Sequence, residues 1–128
     1  MEMKFRTLMV IKAVVCLGFG PLLLLFPEPL LTLLGSSFGP GAAITAREYG
    51  AALIGNLLLT WVGRNAEESV ARRAIVWDLC VYDAVAFVAM LLIQLSGGLN
   101  LLGWGIVAIY LFFAISFGAF LLPRQRVA

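Results

Sequence analysis

The feature that most constrains this chain is the alternation of long apolar runs with short segments that hold nearly all of its charge. A helix crosses a bilayer with roughly 20 apolar residues, because each residue rises about 1.5 Å and the hydrocarbon layer is about 30 Å thick. Read in this way, residues 9–26, 43–62, 73–95 and 101–122 are spans. The expected fold is all-α and polytopic, a four-transmembrane-helix bundle forming a single domain over residues 1–128. Composition points the same way: 62% of residues are hydrophobic and 12% charged, more oil than a soluble core can hide.

Turn residues set the boundaries. Pro21 is expected to kink the first span, since it removes one backbone donor and crowds the preceding turn. Pro27 and Pro29 stop that span, and residues 29–34 read as a short apolar helix at the outer interface, closed by Gly35. Gly63 ends the second span. Asn65 and Glu68 have capping-box spacing, with Glu67 adding charge at the new N-terminus, so the third helix is expected to begin in water. Ser96, Gly97 and Gly98 make a tight turn, and Asn100 is the expected N-cap of the fourth span, which runs to Pro123.

Orientation follows from the basic residues. Lys4, Arg6 and Lys12, then Arg64, Arg72 and Arg73, then Arg124 and Arg126 all fall on one side, and Arg47 alone falls on the other. The positive-inside rule therefore places both termini in the cytoplasm, with the chain multi-pass in a bacterial inner membrane. Trp61 and Trp77 lie at inner span ends, Tyr49 and Trp104 at outer ends, as interfacial anchors do. The basic N-terminus and the apolar run after it have the outline of a signal peptide. Because further spans follow, an uncleaved first span is expected.

Several function classes lose their support here. There is no histidine, which removes the commonest metal ligand and general base. A net charge of +2 divided among loops suggests no nucleic-acid surface. Cys16 and Cys80 lack a redox or metal spacing and read as reduced packing residues. No phosphate loop, dinucleotide fingerprint or nucleophile elbow is present, so no catalytic residue, metal site or cofactor is assigned, and the expectation leans away from an enzyme.

What remains is a set of polar residues within the spans: Lys12, Arg47, Glu48, Asn56, Asp78, Tyr82 and Asp83. A carboxylate near mid-membrane costs about 2.5–3.5 kcal/mol on insertion scales, so it should face protein and find a partner. On a helical wheel Asp78, Tyr82, Asp83, Ala86, Ala89 and Gln94 share an arc expected to face the bundle, while Cys80, Val81, Val85 and Val88 face away. Counting depth along upright helices pairs Lys12, otherwise free to snorkel, with Asp78. It also puts Arg47 about 7–8 Å in depth from Asp83, within an arginine's reach. Glu48 reads as neutralising Arg47 at the interface. Asn56 lies between the two aspartates in depth, and Tyr82 and Tyr110 read as hydrogen-bonded packing residues. Such pairs fix helix register, or they form the polar end of a ligand pocket or a proton path. Small-x-x-x-small pairs at Ala46 and Gly50, Ala51 and Gly55, and Ala114 and Gly118 permit close helix packing.

Taken end to end, the chain resembles the small bacterial four-helix membrane proteins of the DoxX-like group. The resemblance is carried by Phe26-Pro27-Glu28-Pro29, by Ala46-Arg47-Glu48-Tyr49-Gly50, by Trp61 to Arg64, by Ala71-Arg72-Arg73-Ala74, and by Ser96-Gly97 with Leu102-Gly103-Trp104-Gly105. It implies a four-helix fold and no particular activity. With so little chain outside the bilayer, the leading expectation is a non-enzymatic accessory or assembly subunit of a larger membrane complex, its partners being lipid, other membrane helices or itself. Two alternatives stand beside it: a carrier or binder of a small lipophilic molecule such as a quinone or isoprenoid in an intrabundle cavity, and a proton-conducting oligomer.

Overall fold

The computed structural model describes residues 3–122, and these form five α-helices with no strand: α1 (Phe5–Leu25), α2 (Pro27–Leu33), α3 (Pro40–Gly63), α4 (Val70–Leu95) and α5 (Gly103–Ala119). Arg124 and Arg126, on which part of the orientation argument rests, lie outside the described residues, as does Pro123. Two helices, α1 and α4, are long and apolar enough to cross a membrane. The 17 residues of α5 are apolar but shorter, and α3 is diluted by Arg47, Glu48, Asn56 and its glycines.

Proline and glycine chemistry draws the boundaries. Phe26 is forced out of helical geometry (φ −135°, ψ 59°) by Pro27 after it, which ends α1 and starts α2 with a proline in its first turn. Gly35 closes α2 at φ +81°, with the Ser36 amide donating to the Leu31 carbonyl at 2.9 Å and the Gly35 amide to Thr32 at 3.0 Å. Gly97 (φ +83°) closes α4 in the same way, the Gly98 amide donating to Ile93 at 2.9 Å. The capping box expected at Asn65 and Glu68 is not formed. α4 starts later, at Val70, and its cap is Ser69, whose hydroxyl accepts from the Arg72 amide at 3.1 Å.

Helices pack in two close pairs, α1 against α3 and α4 against α5. In the first pair the backbones nearly touch: a Cβ placed on Gly50 would lie 2.6 Å from the Leu24 amide nitrogen and 2.8 Å from the Gly20 carbonyl oxygen. Ala46, one turn away, is buried in the same seam. In the second pair the Cys80 thiol approaches the Ala114 carbonyl at 3.7 Å and packs over Gly118, so Cys80 faces α5 rather than outward. Ala51 and Gly55 take no part, since both are exposed on α3.

The two pairs meet mainly through long side chains. At the end where the chain begins, Phe5, Leu8, Met9, Val76, Leu79, Phe113 and Phe117 form a filled core. Phe5 stacks edge-on to Phe120 at 5.8 Å, and Arg72 lies over the Phe5 ring at 3.9 Å while donating to the Ala66 carbonyl at 3.2 Å. At the opposite end Asn100 joins the pairs: its side chain donates to the Leu33 carbonyl at 2.7 Å and its amide to Leu34 at 2.8 Å. The same residue closes the turn before α5, accepting from the Leu102 amide at 3.0 Å. It is not the N-cap expected of it: α5 starts later, at Gly103, with Leu102 at the cap position and no side-chain cap bond.

Candidate functional site

Between the filled core and the α2 end the side chains on the seam become smaller, and the two helix pairs leave a cavity of about 420 Å³. That volume falls in the roughly 300–1,000 Å³ range of small-molecule sites. Phe19, Leu53, Ile93 and Ile109 are among its apolar walls, and α2 contributes Leu30, Leu31 and Leu34. Polar groups are confined to two places. Ser36 and Thr45 line it near α2, each hydroxyl already donating to a backbone carbonyl. Lys12, Tyr49, Tyr82 and Tyr110 line it from α1, α3, α4 and α5, one from each long helix.

The chain has three tyrosines, and all of them converge here. The Tyr49 hydroxyl is the hub, hydrogen-bonded to the hydroxyls of both Tyr82 and Tyr110, and the Tyr82 and Tyr110 rings meet edge to face at 6.2 Å. Each phenol presents an apolar ring to the wall and a polar tip to its neighbours, the form in which tyrosine is tolerated in an oily interior. Beside this cluster the Lys12 ammonium donates to Asp83 Oδ1 at 2.7 Å and lies over the rings of Phe113 (4.5 Å) and Tyr82 (5.0 Å). Lys12 is 2% exposed and Asp83 0%, so this is a fully buried ion pair between α1 and α4, the one ion pair among the described residues. The second carboxylate oxygen, Oδ2, is buried without a hydrogen-bond partner.

This arrangement revises the pairing expected from depth. Lys12 binds Asp83 rather than Asp78, and Arg47 is exposed and not bonded to Asp83. Two physical reasons account for the exchange. α1 begins at Phe5, a full turn before residue 9, so Lys12 lies about 10 Å along its helix and turns inward instead of snorkelling. On α4 the buried positions are Val76, Leu79, Asp83 and Gln94, and Asp78 is rotated by about 140° from Asp83, which leaves it exposed beside Trp77 and Val81.

Of the other candidates, Tyr82 belongs to the cluster, while Arg47 and Glu48 are exposed on α3 and form no ion pair with each other. Asn56 is half-buried and off the cavity wall, and its carbonyl accepts from the buried Thr60 hydroxyl at 2.7 Å. Sequence reasoning missed Tyr49, read as an interfacial anchor; Cys16, read as a reduced packing residue, is free and fully buried, and it also lines the cavity. Tyr49 sits one residue before Gly50, where α3 approaches α1 closely, but Ala51, one residue after that glycine, is exposed, so adjacency alone does not mark the tyrosine.

No protein-family model, curated protein or solved structure matches the chain.

Proposed function

We propose that this chain is an integral protein of a bacterial inner membrane that holds a small lipophilic molecule in the cavity between its two helix pairs. In this reading α1, α3, α4 and α5 each cross the bilayer, both termini are cytoplasmic, and α2 lies at the opposite interface. The outer surface supports it. Val14 and Leu17 on α1, Leu58 and Val62 on α3, Val81, Val85, Val88 and Leu92 on α4, and Ile115 on α5 are all exposed. Only 17% of the most apolar stretch of α4 is buried, whereas a core helix of a soluble protein would be mostly covered.

The observation that carries the ligand reading is the cavity itself: a mostly apolar lining, with Lys12 and three tyrosines gathered at one place and two hydroxyls toward α2. Small-molecule sites have this form, a large apolar wall with a few convergent polar groups. A ligand that binds only the folded chain stabilises it by RT ln(1 + [L]/Kd), about 2.7 kcal/mol at a hundredfold excess over Kd. Met90 lines the cavity, whereas Val88, two residues before it, points outward. In detergent, an extract of bacterial membrane lipophiles should therefore raise the unfolding temperature of the native chain and of Val88→Trp, but not of Met90→Trp, whose indole occupies the space. Equal responses from all three would count against an internal site.

A second reading, an accessory subunit docked to partner helices, is favoured by one observation. Asp78 is an exposed carboxylate on the outward, otherwise apolar face of α4 beside Trp77, Val81 and Val85. Such a group in or near lipid gains from a polar partner on another helix. The mark of this role is a partner polypeptide retained through gentle detergent extraction.

A further inference from the structure

Resting on the cavity reading above, we infer that the ligand's head is an uncharged hydrogen-bond acceptor, a carbonyl of the ester, ketone or quinone kind, seated against Tyr49, Tyr82, Tyr110 and Lys12. A count of donors leads to this class. Three phenols bring three O–H groups, and two hydrogen bonds, from Tyr49 to Tyr82 and from Tyr49 to Tyr110, join them. Each bond uses one proton. The two bonds use two of the three protons, and the third O–H either turns to the cavity or closes the ring between Tyr82 and Tyr110. Lys12 carries three N–H groups and gives one to Asp83.

No acceptor of comparable strength lines the same place. The Asp83 carboxylate, although its Oδ2 has no hydrogen-bond partner, is not part of the wall, and the Ser36 and Thr45 hydroxyls lie toward α2, Thr45 one helical turn from Tyr49. The strongest groups left unspent on the wall are thus the two remaining N–H donors of Lys12, beside phenol oxygens that accept only weakly.

Charge narrows the class further. Lys12 is neutralised by Asp83 at 2.7 Å, so the polar end as a whole carries no net charge. An acid head would bring an uncompensated negative charge into a half-open, mostly apolar cavity, and an amine head would set a second cation against Lys12; both are costly without a new partner. A neutral carbonyl meets neither penalty and takes the free donors.

The test uses the full-length protein in nanodiscs and radiolabelled probes with one tail and four heads: methyl decanoate, decanoate, decylammonium and decane, with empty nanodiscs as the partitioning control. Methyl decanoate is expected to bind about tenfold more tightly than decane, the worth of one or two net hydrogen bonds. It should also bind more tightly than either ion. The triple variant Tyr49→Phe, Tyr82→Phe, Tyr110→Phe is expected to bind decane as before and to reduce the preference for the ester. Should that variant fail to fold, the comparison of four probes on the native chain still decides. Equal binding of all four, or tightest binding of decanoate or decylammonium, overturns this inference and leaves the cavity reading standing. Binding of none above empty nanodiscs overturns both.

Discussion

Replacing Lys12 alone with methionine, or Asp83 alone with leucine, is expected to destabilise the protein by about 3–5 kcal/mol, the usual cost of leaving one buried charge without its partner. Both side chains are at most 3% exposed, and the bond between them joins α1 to α4 across the seam of the two helix pairs. The double variant Lys12→Met, Asp83→Leu should recover most of the loss. Two matched apolar side chains replace an ion pair whose attraction offsets little more than its own desolvation. Methionine retains the length of the lysine stem and suits the neighbouring rings of Phe113 and Tyr82. Thermal unfolding of all three variants in one detergent measures this. Additive losses in the double variant would show that the two residues do not act as a pair.

The second large effect is at Gly50. In a helix interior glycine to alanine is ordinarily favourable by about 1 kcal/mol, because alanine loses less backbone entropy. Gly50→Ala is expected to reverse that sign. The new methyl would meet the Leu24 amide and the Gly20 carbonyl at 2.6 and 2.8 Å, backbone atoms that yield only if α1 and α3 separate. Overpacking of this kind costs about 1–3 kcal/mol, and Gly50→Val should cost more. Gly55 on the same helix is the control: a Cβ there has nothing within 4 Å, so Gly55→Ala should be neutral or slightly stabilising. Opposite signs at two glycines five positions apart are read directly from unfolding midpoints.

Much of the local structure is legible in the sequence because proline and glycine act locally. Phe26 before Pro27, Gly35, and Gly97 mark helix ends through their own permitted backbone angles, and the observed helices end there. Depth and rotation are less legible. A four-residue error in where α1 begins moves Lys12 by about 6 Å and exchanges its partner. A wheel drawn without knowing the neighbour helix cannot separate Asp78 from Asp83, although the 140° between them means that a narrow interface buries only one.

The site shows the same limit. Lys12, Tyr82 and Asp83 stand out because ionisable and polar groups in an apolar run demand a partner, and all three are found together. Tyr49 did not stand out, since a tyrosine near a span end is equally suited to the lipid interface. The cavity is not a property of any one residue. It arises because Phe113 and Phe117 fill one half of the seam while Cys16, Ala42 and Ala46 leave room in the other.

Native mass spectrometry of the chain extracted in mild detergent tests directly whether the cavity holds a molecule. About one small lipophile is expected per chain, still present in Val88→Trp and lost in Met90→Trp. A native chain recovered without such a molecule, or one retained equally by the variant with the filled cavity, would contradict that expectation.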